Sequence, residues 1–548
     1  MSLSARSSLR PLPGASRPRS RTYGRGMSSV ARVAQAADPF AWTGSDAFSP
    51  LGDRVDAPPL PLPPIARRRR VVLVRHGQST WNAEGRIQGS SDFSELTPKG
   101  KEQAATTRDM LRDESFDALF VSPLRRAQQT AEIVTEGLGL SPRVLPSLRE
   151  VDLYSFQGLV KNEGKARFGE TFQRWQAAPA EFEIDGHPPV RELWHRGSAA
   201  WQHILTEGPP PDGGAAPSRQ SCALVVAHNA VNQALLGTAL GLPPRFFRRL
   251  LQSNGATSVL DFEPPMSPGA PVRVTVDRLN QSPGPPFKAD GAGRTAASRV
   301  VLLRHAATEG SADGLLLGSR DEPLSPLGVV QAGKVAEFMM SLQIDSILTS
   351  PARRCAATAE LIAGLQGAPR YGGAAARGRS GGARVLMLSE LRNLDVGLWE
   401  GQAGAAVRGQ PLPANAEDIG EFWARTSAAW SRVVSEAAPR SEIISGPAGG
   451  APGAAAAGGG GAPRTVVVVA HSAVAAALVC HCLRLGPEGL PLFRFSAGGA
   501  TVIDFPDGVH APSGGVLRCL NYTAHLGQWA APITPEDGNE MCGIDGCF

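Results

Sequence analysis

The sequence predicts an α/β protein made of two tandem three-layer α/β/α domains, each built on a mostly parallel sheet. Three observations lead there. A series of short blocks occurs twice in the same order, the apolar runs are continuous, and hydroxyl–proline pairs stand where helices should open. Runs such as Val71–Val74, Ala118–Val121 and Ala223–Ala227 do not alternate, which suits strands covered on both faces by helices. Thr97-Pro98, Ser122-Pro123, Ser325-Pro326 and Ser350-Pro351 each set an N-cap hydroxyl before an N1 proline, so a helix is predicted to start at each pair.

The repeat is the most informative feature, because self-similarity over this length defines the domain plan before any element is assigned. VVLVRHGQST at 71–80 returns as VVLLRHAATE at 300–309, and LFVSPLRRAQQTAEIV returns as SILTSPARRCAATAELI. LREVDLYSFQG returns as LRNLDVGLWEG, LVVAHNAV as VVVAHSAV, and GATSVLDF as GATVIDF. The resulting plan is a leader at 1–37, a Pro-rich linker at 38–68, a first domain at 69–282, a linker at 283–298, a second and diverged domain at 299–535, and a tail at 536–548. A Gly/Ala/Arg-rich insertion precedes the second LR motif, and GPAGGAPGAAAAGGGGAPR at 446–464 is low-complexity sequence expected to form a disordered loop.

Composition narrows the function class. The 548 residues are 42% hydrophobic, enough for large cores. The net charge is +5, but residues 1–37 hold seven arginines and no lysine or acidic residue, so the remainder carries −2. That argues against a nucleic-acid or membrane-surface partner. The leader is Ser- and Arg-rich and acid-free, as transit peptides are, and predicts delivery to an organelle, the chloroplast stroma ahead of the mitochondrion; a disordered basic tail is the other reading. The longest apolar run, Thr465 to Cys480, contains His471 and is shorter than the ~20 residues a spanning helix needs. The seven cysteines are odd in number and not spaced for metal, which speaks against a disulfide scaffold. Cys542 and Cys547, near the C-terminus, could act as a redox pair or be two reduced thiols in a frayed tail.

The chemistry-bearing residues all follow predicted strands. Arg75 and His76 follow the first, Arg126 follows LFVSP, His228 follows CALVVA, and Glu150 lies just beyond RVLPSL. In an open parallel sheet the carboxyl ends of the strands share one edge, so these side chains converge there. Two guanidiniums repel a divalent cation, and the Asp, Glu or Cys companions of a zinc site are missing, so neither metal nor cofactor is expected. The same guanidiniums match phosphate, and the N-termini of helices starting at Ser122 and beyond His228 would add backbone N–H donors. An imidazole in a phosphate pocket points to covalent catalysis: His76 attacks phosphorus, while Arg75, Asn82, Arg126 and His228 stabilise the equatorial oxygens. Glu150 is the acid placed to protonate the leaving oxygen.

RHGQSTWN, SPLRRA, LREVDLYSFQG and VVAHNAV together resemble the histidine phosphatase superfamily, which is phosphoglycerate mutase-like in fold. The resemblance implies that His76 is the phosphorylated residue and Glu150 the proton donor. It implies that Arg75, Asn82, Arg126 and His228 bind phosphate, and that Gln88 and Gly89 form a loop touching substrate. Further strings, GRIQGSSDFSELTPKG, DGHPPVRELW and RLNQSP among them, resemble a plastid branch of phosphatases. That branch implies a small phosphorylated sugar or sugar acid as substrate and an indirect functional link to Rubisco, whose inhibitor it would destroy. A bisphosphoglycerate-dependent mutase and a phospho-ligand-binding regulator with little turnover remain the other readings.

The second domain keeps Arg304, His305, Arg354 and His471 but has Asn393 where the first has Glu150, Ser311 for Asn82 and Ala306 for Gly77. An amide cannot protonate a leaving group, so this pocket is expected to be weak or inactive while retaining some anion binding.

Overall fold

The computed structural model describes residues 55–207, 221–282, 284–287, 296–366, 383–407, 410–439, 463–511 and 513–527. The leader, most of the first linker, the greater part of the insertion, most of the low-complexity stretch, and Cys542 and Cys547 lie outside them. The first half contributes β1 (Arg69–Arg75), β2 (Ala118–Val121), β3 (Pro142–Val144), β4 (Ser221–Ala227), β5 (Thr257–Glu263) and β6 (Arg273–Gln281). The second contributes β7 (Ser298–Arg304), β8 (Ser346–Thr349), β9 (Arg384–Met387), β10 (Arg464–Ala470), β11 (Ala500–Phe505) and β12 (Val516–Tyr522).

The helices of the first half are α1 (Thr80–Glu84), α2 (Pro98–Met110), α3 (Arg125–Val134), α4 (Lys161–Phe168), α5 (Glu170–Ala177), α6 (Pro189–Thr206) and α7 (Asn229–Ala239). Those of the second are α8 (Glu309–Ala312), α9 (Pro326–Met339), α10 (Arg353–Leu365), α11 (Ile419–Ala437) and α12 (Ser472–Leu483).

The strands run β3-β2-β4-β1-β5-β6-β12-β11-β7-β10-β8-β9 in a single sheet. Within each half four strands are parallel, and two antiparallel strands close the inner side. Two separate sheets were the expectation; instead β6 and β12 pair antiparallel at the centre and fuse them. The continuous apolar runs have the predicted reason. On β1, Val71 and Leu73 enter one core while Val72 and Val74 enter another on the opposite face. The first of these cores is shared between the halves, holding Leu279 beside Leu520 and Phe493.

Two of the four hydroxyl–proline pairs are helix starts. Thr97 and Ser325 cap α2 and α9, accepting from the N–H of Gly100 and Gly328 at 3.1 Å. Ser122 and Ser350 are not caps: α3 and α10 begin three residues later, at Arg125 and Arg353. Their hydroxyls are committed to histidines, as described below.

A buried ion network crosses the seam. Asp261 is paired through two bonds with Arg70 and also accepts from Arg494 of the second half at 2.9 Å, and Arg494 reaches Asp277 at 3.0 Å. Burial alone would raise both carboxyls. Arg70 and Arg494 outweigh it at Asp261, and Arg278 with Arg494 at Asp277, so both are held below the usual carboxylate range. A depressed carboxyl contributes stability that is fully present above its unfolded value, 3.8, and is lost as pH falls below that. Arg494→Met should cost about 2–3 kcal/mol in denaturant unfolding, less than the ~3–5 of a fully orphaned charge, because Arg70 stays with Asp261. A change below about 0.5 kcal/mol, the size of an ordinary surface substitution, would show that the cross-seam pair carries no weight.

Candidate active site

Register decides the convergence. β1 pairs with β4 so that Arg75 lies opposite Ala227, and β2 pairs with β4 so that Val121 lies opposite Val226. His76, His228 and Ser122 therefore leave adjacent strands at the same edge. His76 and His228 meet edge to face, with ring centroids 5.1 Å apart. Both are buried, as are Arg75 and Arg126.

His76 has its tautomer set. Its Nδ1 lies 2.7 Å from the Gly77 carbonyl, which can only accept, so Nδ1 carries the proton and Nε2 the lone pair. Burial, then the charges of Arg126 and Arg75, push its pKa well below 6.5, so the ring is neutral at physiological pH. Burial likewise lowers His228, with Arg126 and His76 adding to it. The Ser122 hydroxyl holds His228 Nε2 at 2.7 Å, and His228 Nδ1 has no hydrogen-bond partner among the described residues.

The two arginines are anchored by backbone. Arg75 donates to the Gln252 carbonyl at 2.7 Å, and Arg126 to the carbonyls of Ser91 at 2.7 Å and Gly89 at 2.9 Å. The Nε of each is buried without a partner among the described residues. Desolvation brings both guanidinium pKa values down to about 10, which still leaves them charged. Buried N–H groups without partners cost free energy unless a ligand completes them. Two cationic Nε–H groups and an open imidazole nitrogen thus define a place for a tetrahedral oxyanion.

Asn82 sits at the third position of α1 in a capping box with Ser79, and its Oδ1 accepts from Ser79 N and from Asn254 Nδ2. Gln88 Oε1 accepts from the hydroxyls of Ser79 and Ser94. Gly89 has φ +52°, and a Cβ there would lie 2.1 Å from Gln157 Oε1, so the loop around Arg126 requires glycine.

Glu150 is in the pocket, but in an unexpected posture. Its carboxylate accepts from Val151 N at 2.9 Å, from Ala230 N at 3.0 Å and from Val231 N at 3.0 Å. It occupies the N-terminus of α7, so helix donors expected to face phosphate are engaged by Glu150. The other expected helix donor, at Ser122, is absent because α3 starts at Arg125.

Three supporting residues escaped the sequence. Asn254 donates to the His76 carbonyl at 2.9 Å. Ser122, a cap by its sequence pattern, instead holds His228, and its recurrence as Ser350 beside a second histidine is the sequence signal for that role. Arg196, from α6, holds the carbonyls of Ser147 and Glu150 at 3.1 Å and so fixes the Glu150 loop; Arg425 does the same for Asn393 at 2.8 Å.

The second pocket repeats the frame and rewires its centre. His305 and His471 lie 5.3 Å apart, and His305 Nδ1 contacts the Ala306 carbonyl at 2.8 Å. Arg354 Nε donates to His305 Nε2 at 3.2 Å, and its Nη2 to His471 Nδ1 at 3.3 Å. The lone pair equivalent to that of His76 Nε2 is therefore engaged by the protein's own guanidinium. Asn393 makes no cap on α12, and its Oδ1 is buried without a partner among the described residues.

A fused pair of α/β halves, each with two histidines and two arginines at the carboxyl edge, defines a class. The chain belongs to the histidine phosphatase superfamily (branch 1), whose family model matches residues 71–266 and again 300–512. It is a phosphatase. Among similar proteins is a 2-carboxy-D-arabinitol-1-phosphatase of Triticum aestivum, 44% identical over 483 residues, spanning 87% of this chain and 91% of the relative. Another, from Arabidopsis thaliana, is described as a probable 2-carboxy-D-arabinitol-1-phosphatase and is 42% identical over 86% of this chain and 90% of its own length. Of solved structures, a mycobacterial glucosyl-3-phosphoglycerate phosphatase is 29% identical, covering 39% of this chain and 100% of its own, with a TM-score of 0.35.

Proposed function

We propose that the first half hydrolyses the phosphomonoester of a sugar acid, 2-carboxy-D-arabinitol 1-phosphate, through a phosphohistidine on His76. The observation that carries the mechanism is the tautomer: Nδ1–H is held by Gly77, leaving the Nε2 lone pair as nucleophile. That lone pair forms an N–P bond while the bond from phosphorus to the sugar oxygen breaks. Arg75, Arg126, Asn82 and His228 hold the three equatorial oxygens, and Glu150 gives its proton to the departing oxygen. Water then attacks phosphorus, Glu150 takes its proton, and the N–P electrons return to Nε2 as phosphate leaves. The substrate is supported by the extent of the likeness to the wheat enzyme, which runs through both halves.

We place this activity in the chloroplast stroma on the acid-free, seven-arginine leader, with an indirect link to Rubisco through removal of its inhibitor. The test is phosphate release by the chain lacking residues 1–37, with carboxyarabinitol 1-phosphate, xylulose 1,5-bisphosphate, fructose 2,6-bisphosphate and 3-phosphoglycerate. The first should be the preferred substrate. No release from it would end the substrate assignment, and phosphate shuffling only with a bisphosphate primer would make the chain a mutase. For the location, residues 1–37 fused to a fluorescent reporter should enter chloroplasts; a reporter left in the cytosol would end that part.

A further inference from the structure

We infer that Asn280 is a positioning residue through which the second half holds the catalytic pocket of the first, so that the halves act as an intramolecular pair with one pocket turning over. The inference rests on the phosphatase reading. Its basis is a set of hydrogen bonds repeated by the pseudo-twofold relation of the halves. Asn280 and Asn521 are both buried, and both have φ +54°, a conformation asparagine tolerates. Asn280 Nδ2 donates across the seam to the Arg518 carbonyl at 2.6 Å, and Asn521 Nδ2 to the Asp277 carbonyl at 3.0 Å. On its own side, Asn280 Oδ1 accepts from Ser253 N at 2.6 Å, and Asn521 Oδ1 from Ser496 N at 2.7 Å.

Each asparagine therefore ties the opposite half to the segment whose carbonyl anchors a pocket arginine. Gln252, which anchors Arg75, is next to Ser253; Phe495, which anchors Arg304, is next to Ser496. The same segment is also bound by the foreign strand directly. Leu251 N donates to the Leu517 carbonyl at 3.0 Å and Leu517 N to the Arg249 carbonyl at 2.8 Å, while Arg494 N donates to the Val276 carbonyl at 3.1 Å.

The symmetry then breaks at one residue. After Ser253 comes Asn254, whose Nδ2 reaches the His76 carbonyl at 2.9 Å and Asn82 Oδ1 at 3.3 Å; after Ser496 comes Ala497, which has no amide to extend. The brace in the first half thus continues to the nucleophile and a phosphate-binding side chain, while its twin stops at the loop. This gives the catalytically diverged half a function: it supplies Arg518 and Leu517 carbonyls against which the working pocket is set.

The twin provides the control. In the full chain, Asn280→Gly and Asn521→Gly remove equivalent bonds at equivalent burial without disturbing φ, so their unfolding temperatures should fall alike. Assayed with carboxyarabinitol 1-phosphate and p-nitrophenyl phosphate, Asn280→Gly should lower kcat roughly 10–100-fold and slow formation of phosphohistidine. Asn521→Gly should leave kcat within about twofold of wild type, the size of a ~0.4 kcal/mol change in barrier. Asn254→Ala, which leaves the seam intact, should reproduce the kcat loss with little change in unfolding temperature, and it carries the test should Asn280→Gly not fold. Equal kcat losses in the two glycine variants, or wild-type kcat in Asn254→Ala, would overturn the inference. A wild-type chain that releases no phosphate would instead overturn the phosphatase reading, and the inference with it.

Discussion

His76→Ala should abolish turnover: kcat is expected to fall on the order of 10⁶-fold, as when the nucleophile is deleted from other covalent enzymes, with no acid-labile phosphoenzyme formed. The size of the effect follows from what the pocket lacks without the ring. Arg75 and Arg126 keep their backbone anchors, so phosphate still binds, but no lone pair is aligned with phosphorus. The fold should persist, because the one side-chain hydrogen bond His76 makes among the described residues is to the adjacent carbonyl of Gly77. The same burial and charges that keep His76 neutral place its protonation well below 6.5. As pH falls toward 6, wild-type kcat/KM should therefore show no loss from this residue. Binding of inorganic phosphate to folded His76→Ala, followed by calorimetry, separates lost chemistry from lost binding. Residual turnover within tenfold of wild type would move the nucleophile elsewhere.

Much of this site was legible because its residues follow strands whose continuous apolar runs are unambiguous. Strand order β2-β4-β1 then brings Ser122, His228 and His76 together with no further information. What stayed hidden has physical causes. The β6–β12 junction pairs two strand edges, and edge pairing leaves no local pattern in either strand. A hydroxyl before proline looks the same whether the oxygen caps a helix, as Ser325 does, or holds a histidine, as Ser350 does at 2.9 Å. The turn of Arg354 onto His305 is equally invisible, since both residues match their first-half counterparts by type. The donor that Arg126 places on the Gly89 carbonyl is, in Arg354, directed to His471.

Glu150→Gln should cost ~10²–10⁴-fold in kcat, the range for a lost general acid, whereas His305→Ala should leave phosphate release within about twofold of wild type. The second half already displays the consequence of replacing this carboxyl by an amide. Glu150 accepts from the N–H groups of Ala230 and Val231, so the carboxylate and an incoming dianionic phosphate compete for one helix terminus. In the proposed mechanism Glu150 delivers the proton that the leaving oxygen requires. Asn393 is one methylene shorter and never protonates; its Oδ1 is buried with no partner and α12 is left uncapped by it. Glutamine keeps the reach of Glu150 but turns an N–H2 toward the N–H of Ala230, losing the proton and part of the posture together. If the proton is what matters, a substrate with a leaving group that needs none, such as p-nitrophenyl phosphate, should restore most of the rate of Glu150→Gln. Followed as single-turnover formation of phosphohistidine, which precedes the attack of water, an equal deficit on both substrates would mean that Glu150 serves only to set α7, and comparable losses from Glu150→Gln and His305→Ala would mean that the second pocket turns over after all.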